Sequence, residues 1–258
     1  MRRLHFTRMG SSLPARLLAR PQRGAVEIAA LFALYGFYEL VRGFGEASAA
    51  VALRHADEIV SLERAVGVYG ERGVQSLAEN VPGLPGLLGL AYIALHFVGT
   101  TVALIWVYSR HRDRFPLVRN TLIVSTAVSL VVYVLYPVAP PRLAGLGFAD
   151  TVTDHAGLNL SSDLLGSLYN QYAAVPSLHF GYSLLVGALL ASLAARPWLR
   201  LTGYLYPLAM LLIIVATGNH FVFDAVAGGV AVAIGWTLAR ALESAAPARR
   251  QTPARVSS

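Results

Sequence analysis

Two short strings of residues contain side chains whose types and spacing allow them to do chemistry together. The first is Pro-Ser-Leu-His at residues 176–179, and the second is Asn-His-Phe-Val-Phe-Asp at residues 219–224. Each string lies where a long apolar segment meets a polar loop. Two histidines, one of them followed four residues later by a carboxylate, can supply the nucleophile and the general acid needed to cleave a phosphate ester.

The second string suits an activated nucleophile. Residues four apart share one face of a helix, so Asp224 can accept the Nδ1–H of His220 and leave the Nε2 lone pair exposed. The simpler interpretation is an ion pair at a helix end. An aspartate just inside an apolar span is costly without a purpose, so we assign His220 and Asp224 as catalytic.

The first string is typical of a helix start, with proline at the first helical position. The N–H groups of Ser177, Leu178 and His179 then lack partners within the helix, and the helix dipole favours an anion beside them. We expect a phosphate to bind these N–H groups and the Ser177 hydroxyl, while His179 protonates the leaving alkoxide. Taken alone, the string also fits an ordinary helix start with an interfacial histidine.

A cation for the same phosphate is available at Arg142, which follows Pro137, Pro140 and Pro141. The prolines restrict the backbone, and a guanidinium suits bidentate phosphate contact. An arginine at the lipid surface is the alternative interpretation. All 21 basic residues of the chain are arginines, so no lysine can serve as base or phosphate ligand. Asn219 is a further candidate for phosphate binding.

The elements that must position these residues are membrane spans. The chain has 258 residues, is 55% hydrophobic and has a mean hydropathy of +0.55, and its apolar residues concentrate in stretches of about 20, enough to cross the hydrocarbon layer. The prediction is an all-α, polytopic helix bundle with six transmembrane helices. The predicted spans are 25–41, 87–108, 119–138, 177–195, 201–217 and 222–242.

The segments outside the spans are also assigned. The pattern of residues 46–81 predicts an amphipathic interfacial helix or a solvated helix that caps the bundle, and we expect neither to contribute chemistry. The loop 139–175 is predicted to contain one short helix starting at Ser161 or Ser162. The domain layout is a basic tail at 1–24, a catalytic membrane domain at 25–244 with its motif-bearing core at about 87–242, and a basic tail at 245–258. A cleaved signal peptide is the alternative for the first apolar segment.

The net charge of +7 does not indicate a nucleic-acid partner, because the arginines flank the apolar spans. On the six-span layout most of them fall on one face, which marks the cytoplasm. We therefore expect a multi-pass protein of the cell membrane with both termini cytoplasmic. Arg142, His179 and His220 would then lie on the outer face.

The order of these motifs resembles a known family. An arginine after prolines, then Pro-Ser-x-His, then His-x-x-x-Asp on six spans is similar to the type 2 phosphatidic acid phosphatase superfamily, over residues 87–242. The branch that the chain resembles most is the inositol phosphorylceramide synthases. The resemblance implies that His179 is the acid, His220 the nucleophile through a phosphohistidine, and Asp224 its orienter. It also places Ser177 and Arg142 on the phosphate.

Three positions depart from the superfamily pattern. Leu135 stands where a lysine is usual, Leu178 replaces a glycine, and Ile214 stands where an arginine is usual. Two cationic ligands are therefore missing, and losing one preorganised donor typically costs about 100- to 1000-fold in rate. Either Asn219 and Asn170 compensate, or the substrate differs from simple phosphatidate. The synthase-like branch also lacks the upstream arginine.

The expected function is an integral membrane lipid phosphotransferase or phosphatase, with a polyol such as inositol or water as acceptor. The alternative is a non-catalytic membrane scaffold or binding protein that retains the fold. A transporter is not indicated, because no repeat and no helix broken in mid-membrane is visible. The lipid donor and the oligomeric state are left open.

No cofactor or metal is expected. The chain contains no cysteine, and a site drawn from histidines and carboxylates alone would be a thin ligand set. The candidates for such a site are Glu39, His96, His179, His220 and Asp224.

Overall fold

The computed structural model describes residues 49–156 and 170–245, together with Ala29 and Gly36 as isolated positions. The chain forms two units, Met1–Leu40 and Val41–Ser258, and every contact given below lies within the second. The predicted first span, apart from the two isolated positions, lies outside the described residues. The predicted N-terminal tail and the C-terminal tail after residue 245 lie outside them as well. So does the predicted short helix at Ser161 or Ser162.

Two helices precede the described membrane helices. Helix α1 covers Ala49–Ala65 and helix α2 covers Glu71–Glu79. A turn separates them at Gly67, whose φ of 77° is left-handed and favours glycine. The one surface helix predicted over residues 46–81 is therefore two helices, and both contain buried residues.

Four described helices are long and apolar enough to cross a membrane. They are Leu84–Arg110, Phe115–Leu135 (α5), Pro197–Ala216 (α8) and Val222–Ala245 (α9). The first of them consists of α3 (Leu84–Ala94), a π-helical turn (Leu95–Gly99) and α4 (Thr100–Arg110). A shorter apolar helix, α7 at Leu178–Leu193, coincides with the predicted span 177–195.

The expected all-α membrane architecture is thus confirmed for the described part of the chain, where strand pairing is limited to an isolated bridge between Val138 and Ala173. The number of six spans stays a prediction.

The polar segment between α5 and α7 packs against the turn between α8 and α9. It contains a short 3-10 helix at Pro141–Leu143 and helix α6 at Thr151–Ala156, and the sequence predicted neither. The N–H of Arg142 donates to the carbonyl oxygen of Gly218 at 2.9 Å. This bond brings the loop after α5 to the end of α8.

Glycines allow the helix backbones to approach closely, as is common in membrane bundles. A Cβ at Gly228 of α9 would overlap the carbonyl oxygen of Ser177 at the start of α7. The N–H of Ser177 also donates to the carbonyl oxygen of Asp224 at 2.9 Å. A Cβ at Gly187 of α7 would likewise overlap the carbonyl oxygen of Gly203 of α8. The two strings that the sequence identified are therefore joined through their backbones.

A buried apolar cluster lies beside this junction. Phe221 is fully buried in it and follows His220 directly in the second string. Its buried neighbours come from α1 and from the segment after α5, and include Ile59, Val60, Val138 and Ala139. The apolar core thus fixes the backbone next to His220.

Gly228→Ala tests the backbone contact between α7 and α9. We expect it to destabilise the protein by about 1–3 kcal/mol, because the added methyl group must displace the Ser177 carbonyl. Gly229→Ala is the matched control, since its Cβ would have no neighbour closer than 3.7 Å and alanine favours a helix by about 1 kcal/mol. The measurement is the midpoint of thermal unfolding in detergent; equal midpoints for both variants would contradict the packing.

Candidate active site

His220 lies in the turn that joins α8 to α9. Gly218 ends α8 with a left-handed φ of 66°, the conformation in which glycine commonly terminates helices. The N–H of His220 then donates to the carbonyl oxygen of Ile214 at 3.2 Å. Since α9 begins only at Val222, His220 precedes the helix, whereas the spacing argument had placed it on the same helix face as its carboxylate.

The structure nevertheless brings His220 and Asp224 together. The His220 Nδ1 lies 3.2 Å from the Asp224 Oδ2 and 3.0 Å from the carbonyl oxygen of Ala174. Both neighbours are acceptors, so Nδ1 bears the hydrogen and Nε2 keeps its lone pair. The N–H of Phe221 donates to the same carboxylate oxygen at 2.9 Å, which fixes the aspartate.

The surroundings of His220 favour its neutral form. The residue is only 4% exposed. Burial lowers the pKa of His220 to about 3, and the positive charge of Arg142 contributes, although the Ala174 carbonyl opposes the shift. A neutral imidazole with a free Nε2 at neutral pH is the state that a nucleophile requires.

Two carboxylates that the sequence reading missed cap the start of α9. The N–H of Val222 donates to Glu71 of α2 at 3.1 Å, and the N–H of Phe223 donates to Glu63 of α1 at 2.7 Å. Both glutamates are 1% exposed. Carboxyl oxygens at a helix N-terminus satisfy N–H groups that have no partner within the helix.

This finding corrects the expectation that residues 46–81 contribute nothing to the site. A signal was present in the sequence: Glu63 follows Ile59 and Val60 by four and three residues, on the apolar face of α1. A charge on that face indicates a buried partner.

Arg142 is fixed by a set of contacts that leaves one amino group unused. Its side chain is fully buried. Nε donates to the Asn219 Oδ1 at 2.9 Å, and Nη1 donates to the Asp150 Oδ2 at 3.2 Å. The other amino group, Nη2, is buried with no hydrogen-bond partner among the described residues. A buried donor of this kind needs a ligand, and a phosphate oxygen suits it.

The position of Asp150 depends on α2. Gln75 is fully buried, accepts the N–H of Ala149 at 2.9 Å and donates to the carbonyl oxygen of Ala149 at 3.1 Å. Asp150 also accepts the N–H of Thr153 at 3.2 Å. Gln75 therefore fixes the backbone next to the aspartate that pairs with Arg142, a role that the sequence did not reveal.

Helix α7 begins at Leu178, two residues after the proline that was expected to open it. Ser177 is the N-cap, and its hydroxyl accepts the N–H of Phe180 at 3.4 Å. Pro176 lies outside the helix, which corrects the expected proline at its first position. The N–H of Ser177 is not free for a phosphate, because it donates to α9. By helix geometry the N–H groups of Leu178 and His179 remain without a partner in the helix.

The two histidines of the motifs lie close together. The ring centroids of His179 and His220 are 5.6 Å apart, with the ring planes tilted by 50°. The two rings can therefore contact a single phosphate ester from different sides. This convergence required the junction between α7 and α9, since the two residues are 41 positions apart in the chain.

Other residues considered from the sequence have different surroundings. Asn219 uses its amide oxygen to orient Arg142, and its amide nitrogen donates to the Thr217 carbonyl at 3.3 Å. Asn170 accepts the N–H of Tyr172 in a turn. Leu135 is 76% exposed on the outside of the bundle, and Ile214 is fully buried in an apolar cluster. The two usual cations thus have no replacement at their own positions.

Among the described residues, no group of three histidine or carboxylate side chains is placed to bind a metal ion. Glu39, one of the candidates, lies outside the described residues.

A comparison with family models shows which family the chain belongs to. The model of the PAP2 superfamily matches residues 57–238. The chain belongs to the PAP2 superfamily. The comparisons with curated proteins and with solved structures found no match. Membership supports a phosphatase-type enzyme activity on lipid phosphates in general, and it confirms the resemblance at the level of the superfamily. The relation to the inositol phosphorylceramide synthases stays a prediction.

Replacing Arg142 tests the unpaired amino group. Arg142→Lys keeps a positive charge but removes the planar fork and Nη2. We expect kcat/KM on phosphatidate and related lipid phosphates to fall by about 100-fold or more, the usual loss for one preorganised donor. The control is Arg72→Lys, because Arg72 pairs with Glu79 on the surface of α2. An unchanged kcat/KM for Arg142→Lys would contradict phosphate binding by this residue.

Glu63 makes the stability depend on pH. Burial, followed by the neighbouring Glu71 carboxylate, raises the pKa of Glu63 from 4.5 to about 8. The folded protein therefore binds this proton more tightly than the unfolded chain. Stability is highest below pH 4.5 as far as this group is concerned, and it falls as pH rises towards 8.

Glu63→Gln should remove that part of the pH dependence, because the amide stays neutral and still accepts the Phe223 N–H. The measurement is the thermal midpoint in detergent between pH 5 and 9, with Asp57→Asn on the exposed side of α1 as control. The same slope in wild type and Glu63→Gln would show that Glu63 is not the titrating group.

Proposed function

We propose that this protein is an integral membrane lipid phosphotransferase or phosphatase that cleaves a lipid phosphate ester through a phosphohistidine on His220, with His179 as general acid and base. The observation that supports it most strongly is the environment of the His220 Nδ1, which lies between the Asp224 carboxylate and the Ala174 carbonyl. This fixes the tautomer in which Nε2 can attack.

The first step forms the phosphoenzyme. The phosphate lies against the Nη2 of Arg142 and the free N–H groups at the start of α7, and the Nε2 of His220 attacks phosphorus. The P–O bond to the lipid alcohol breaks as the P–N bond forms. The leaving oxygen takes a proton from the imidazolium form of His179. Asp224 stabilises the positive charge that develops on the His220 ring.

The second step transfers the phosphoryl group to an acceptor. His179, now neutral, takes the proton from the acceptor hydroxyl, whose oxygen attacks phosphorus while the P–N bond breaks. Water as acceptor gives a phosphatase, and a polyol such as inositol gives a phosphotransferase. The likeness to the synthase branch favours the polyol, because the two missing cations distinguish this site from that of a simple phosphatidate phosphatase. We place the site on the outer face of the cell membrane from the arginine distribution.

Leaving-group dependence tests the two histidine roles. Dioleoyl phosphatidate has an alcohol leaving group that needs a proton, whereas p-nitrophenyl phosphate releases a phenolate that does not. His220→Asn should abolish cleavage of both. His179→Asn should lower the rate of phosphatidate cleavage by about 100-fold or more. It should retain a burst of nitrophenolate from the aryl ester, and mass spectrometry should detect an acid-labile phosphate on His220.

The matched control is His111→Asn at the end of α4, which packs on Trp106 and should behave as wild type. If wild type and His220→Asn release no phosphate above background from any lipid phosphate or from the aryl ester, the chain is a non-catalytic scaffold and the proposal is wrong.

A further inference from the structure

Four aromatic rings from two helices form a column that contains His179. The ring of Tyr92 of α3 stacks on the ring of His179, with centroids 4.0 Å apart and planes at 14°. The ring of His96 also stacks on that of His179, with centroids 4.0 Å apart and planes at 30°. His96 in turn lies parallel to Tyr182 at 5.5 Å and 6°. The rings come alternately from the Leu84–Arg110 helix and from α7, so the column joins these two helices.

The column orients His179 without hydrogen bonds. Among the described residues the His179 ring makes no hydrogen bond, whereas His220 has two acceptors at its Nδ1. Stacking on Tyr92 and His96 is therefore what fixes the plane of the His179 ring. Stacking leaves the ring edge, where the nitrogens are, available to a substrate.

The column depends on a local change of helix geometry. His96 lies in the π-helical turn Leu95–Gly99. Such turns are rare in proteins overall, and those that occur are often found at functional sites. The Tyr206 hydroxyl of α8 donates to the carbonyl oxygen of Leu95 at 2.6 Å. Gly99 leaves the space for that hydroxyl, since a Cβ there would lie 2.6 Å from it. A separate helix thus stabilises the turn that presents His96.

The position of His96 also costs folding free energy, because it buries a polar atom. Its Nδ1 is buried with no hydrogen-bond partner among the described residues. A buried polar atom without a partner needs an explanation. His96 contacts its neighbours through the face of its ring, which stacks on His179 and Tyr182, and not through Nδ1. At the far end of the column, the Tyr182 hydroxyl is hydrogen-bonded to Thr126 of α5.

We infer that Tyr92 and His96 are positioning residues that orient the imidazole of His179 by stacking, so that its edge meets the leaving oxygen of the phosphate ester. This inference rests on the proposed function. The sequence assigned neither residue a role in catalysis. The stack acts only through His179, so it affects the step that needs the proton.

The test uses the two esters and variants of His96 in detergent. His96→Phe keeps an aromatic ring and should retain kcat on dioleoyl phosphatidate within about threefold. His96→Leu removes the ring and should lower that kcat by about 10- to 100-fold, the cost of a small misplacement, with KM little changed. Its nitrophenolate burst should stay near wild type, because that leaving group needs no proton. Tyr92→Phe and Tyr92→Leu should repeat this pattern.

A loss of both reactions in His96→Leu to the same degree would indicate a purely structural role and overturn the inference. Equal damage by His96→Phe and His96→Leu would also overturn it, because the nitrogen and not the ring would then be needed. No cleavage by wild type would instead overturn the proposed function. Independently of activity, the His179 ring protons in NMR spectra, assigned with His179→Asn, should be shifted upfield by stacking in wild type and His96→Phe. In His96→Leu they should move towards ordinary values.

Discussion

The backbone contact between the start of α7 and the start of α9 is the constraint on which the site depends. The N–H of Ser177 donates to the carbonyl oxygen of Asp224, and Gly228 lets the Ser177 carbonyl lie against α9. One contact therefore sets the distance between the helix that presents His179 and the turn that presents His220. Interactions of this kind tolerate little error, since packed helices shift as units when one added methyl group does not fit.

The electrostatics of the site are arranged around one buried guanidinium. Arg142 is oriented by an amide and a carboxylate and keeps Nη2 for a ligand. Its charge also helps to keep His220 neutral. The carboxyl groups of Glu63 and Glu71 accept hydrogen bonds from the first N–H groups of α9. Preorganised charges of this sort cost no rearrangement when an anion binds, which is how electrostatic catalysis is most effective.

The two motif histidines differ in how the fold orients them. His220 is fixed by hydrogen bonds to its Nδ1, which leaves Nε2 for bond formation. His179 is fixed by stacking on the rings of Tyr92 and His96, which leaves its edge for proton transfer. A nucleophile requires one defined tautomer, whereas a residue that both gives and takes a proton must change its protonation during the cycle. The two kinds of support match these two demands.

The sequence by itself determined the helical membrane class, the approximate place of five described helices and the motif residues. Hydropathy and His-x-x-x-Asp spacing can be recognised in a short stretch of sequence without knowing how the helices pack. It could not reveal the contributions of α1 and α2, because Glu63, Glu71 and Gln75 reach the site from more than 70 positions away. It also missed the ring column, since a stack between two helices depends on their relative rotation and on the π-helical turn. Only the tertiary structure decides such contacts, because they are set by how helices pack and not by the order of residues along one of them.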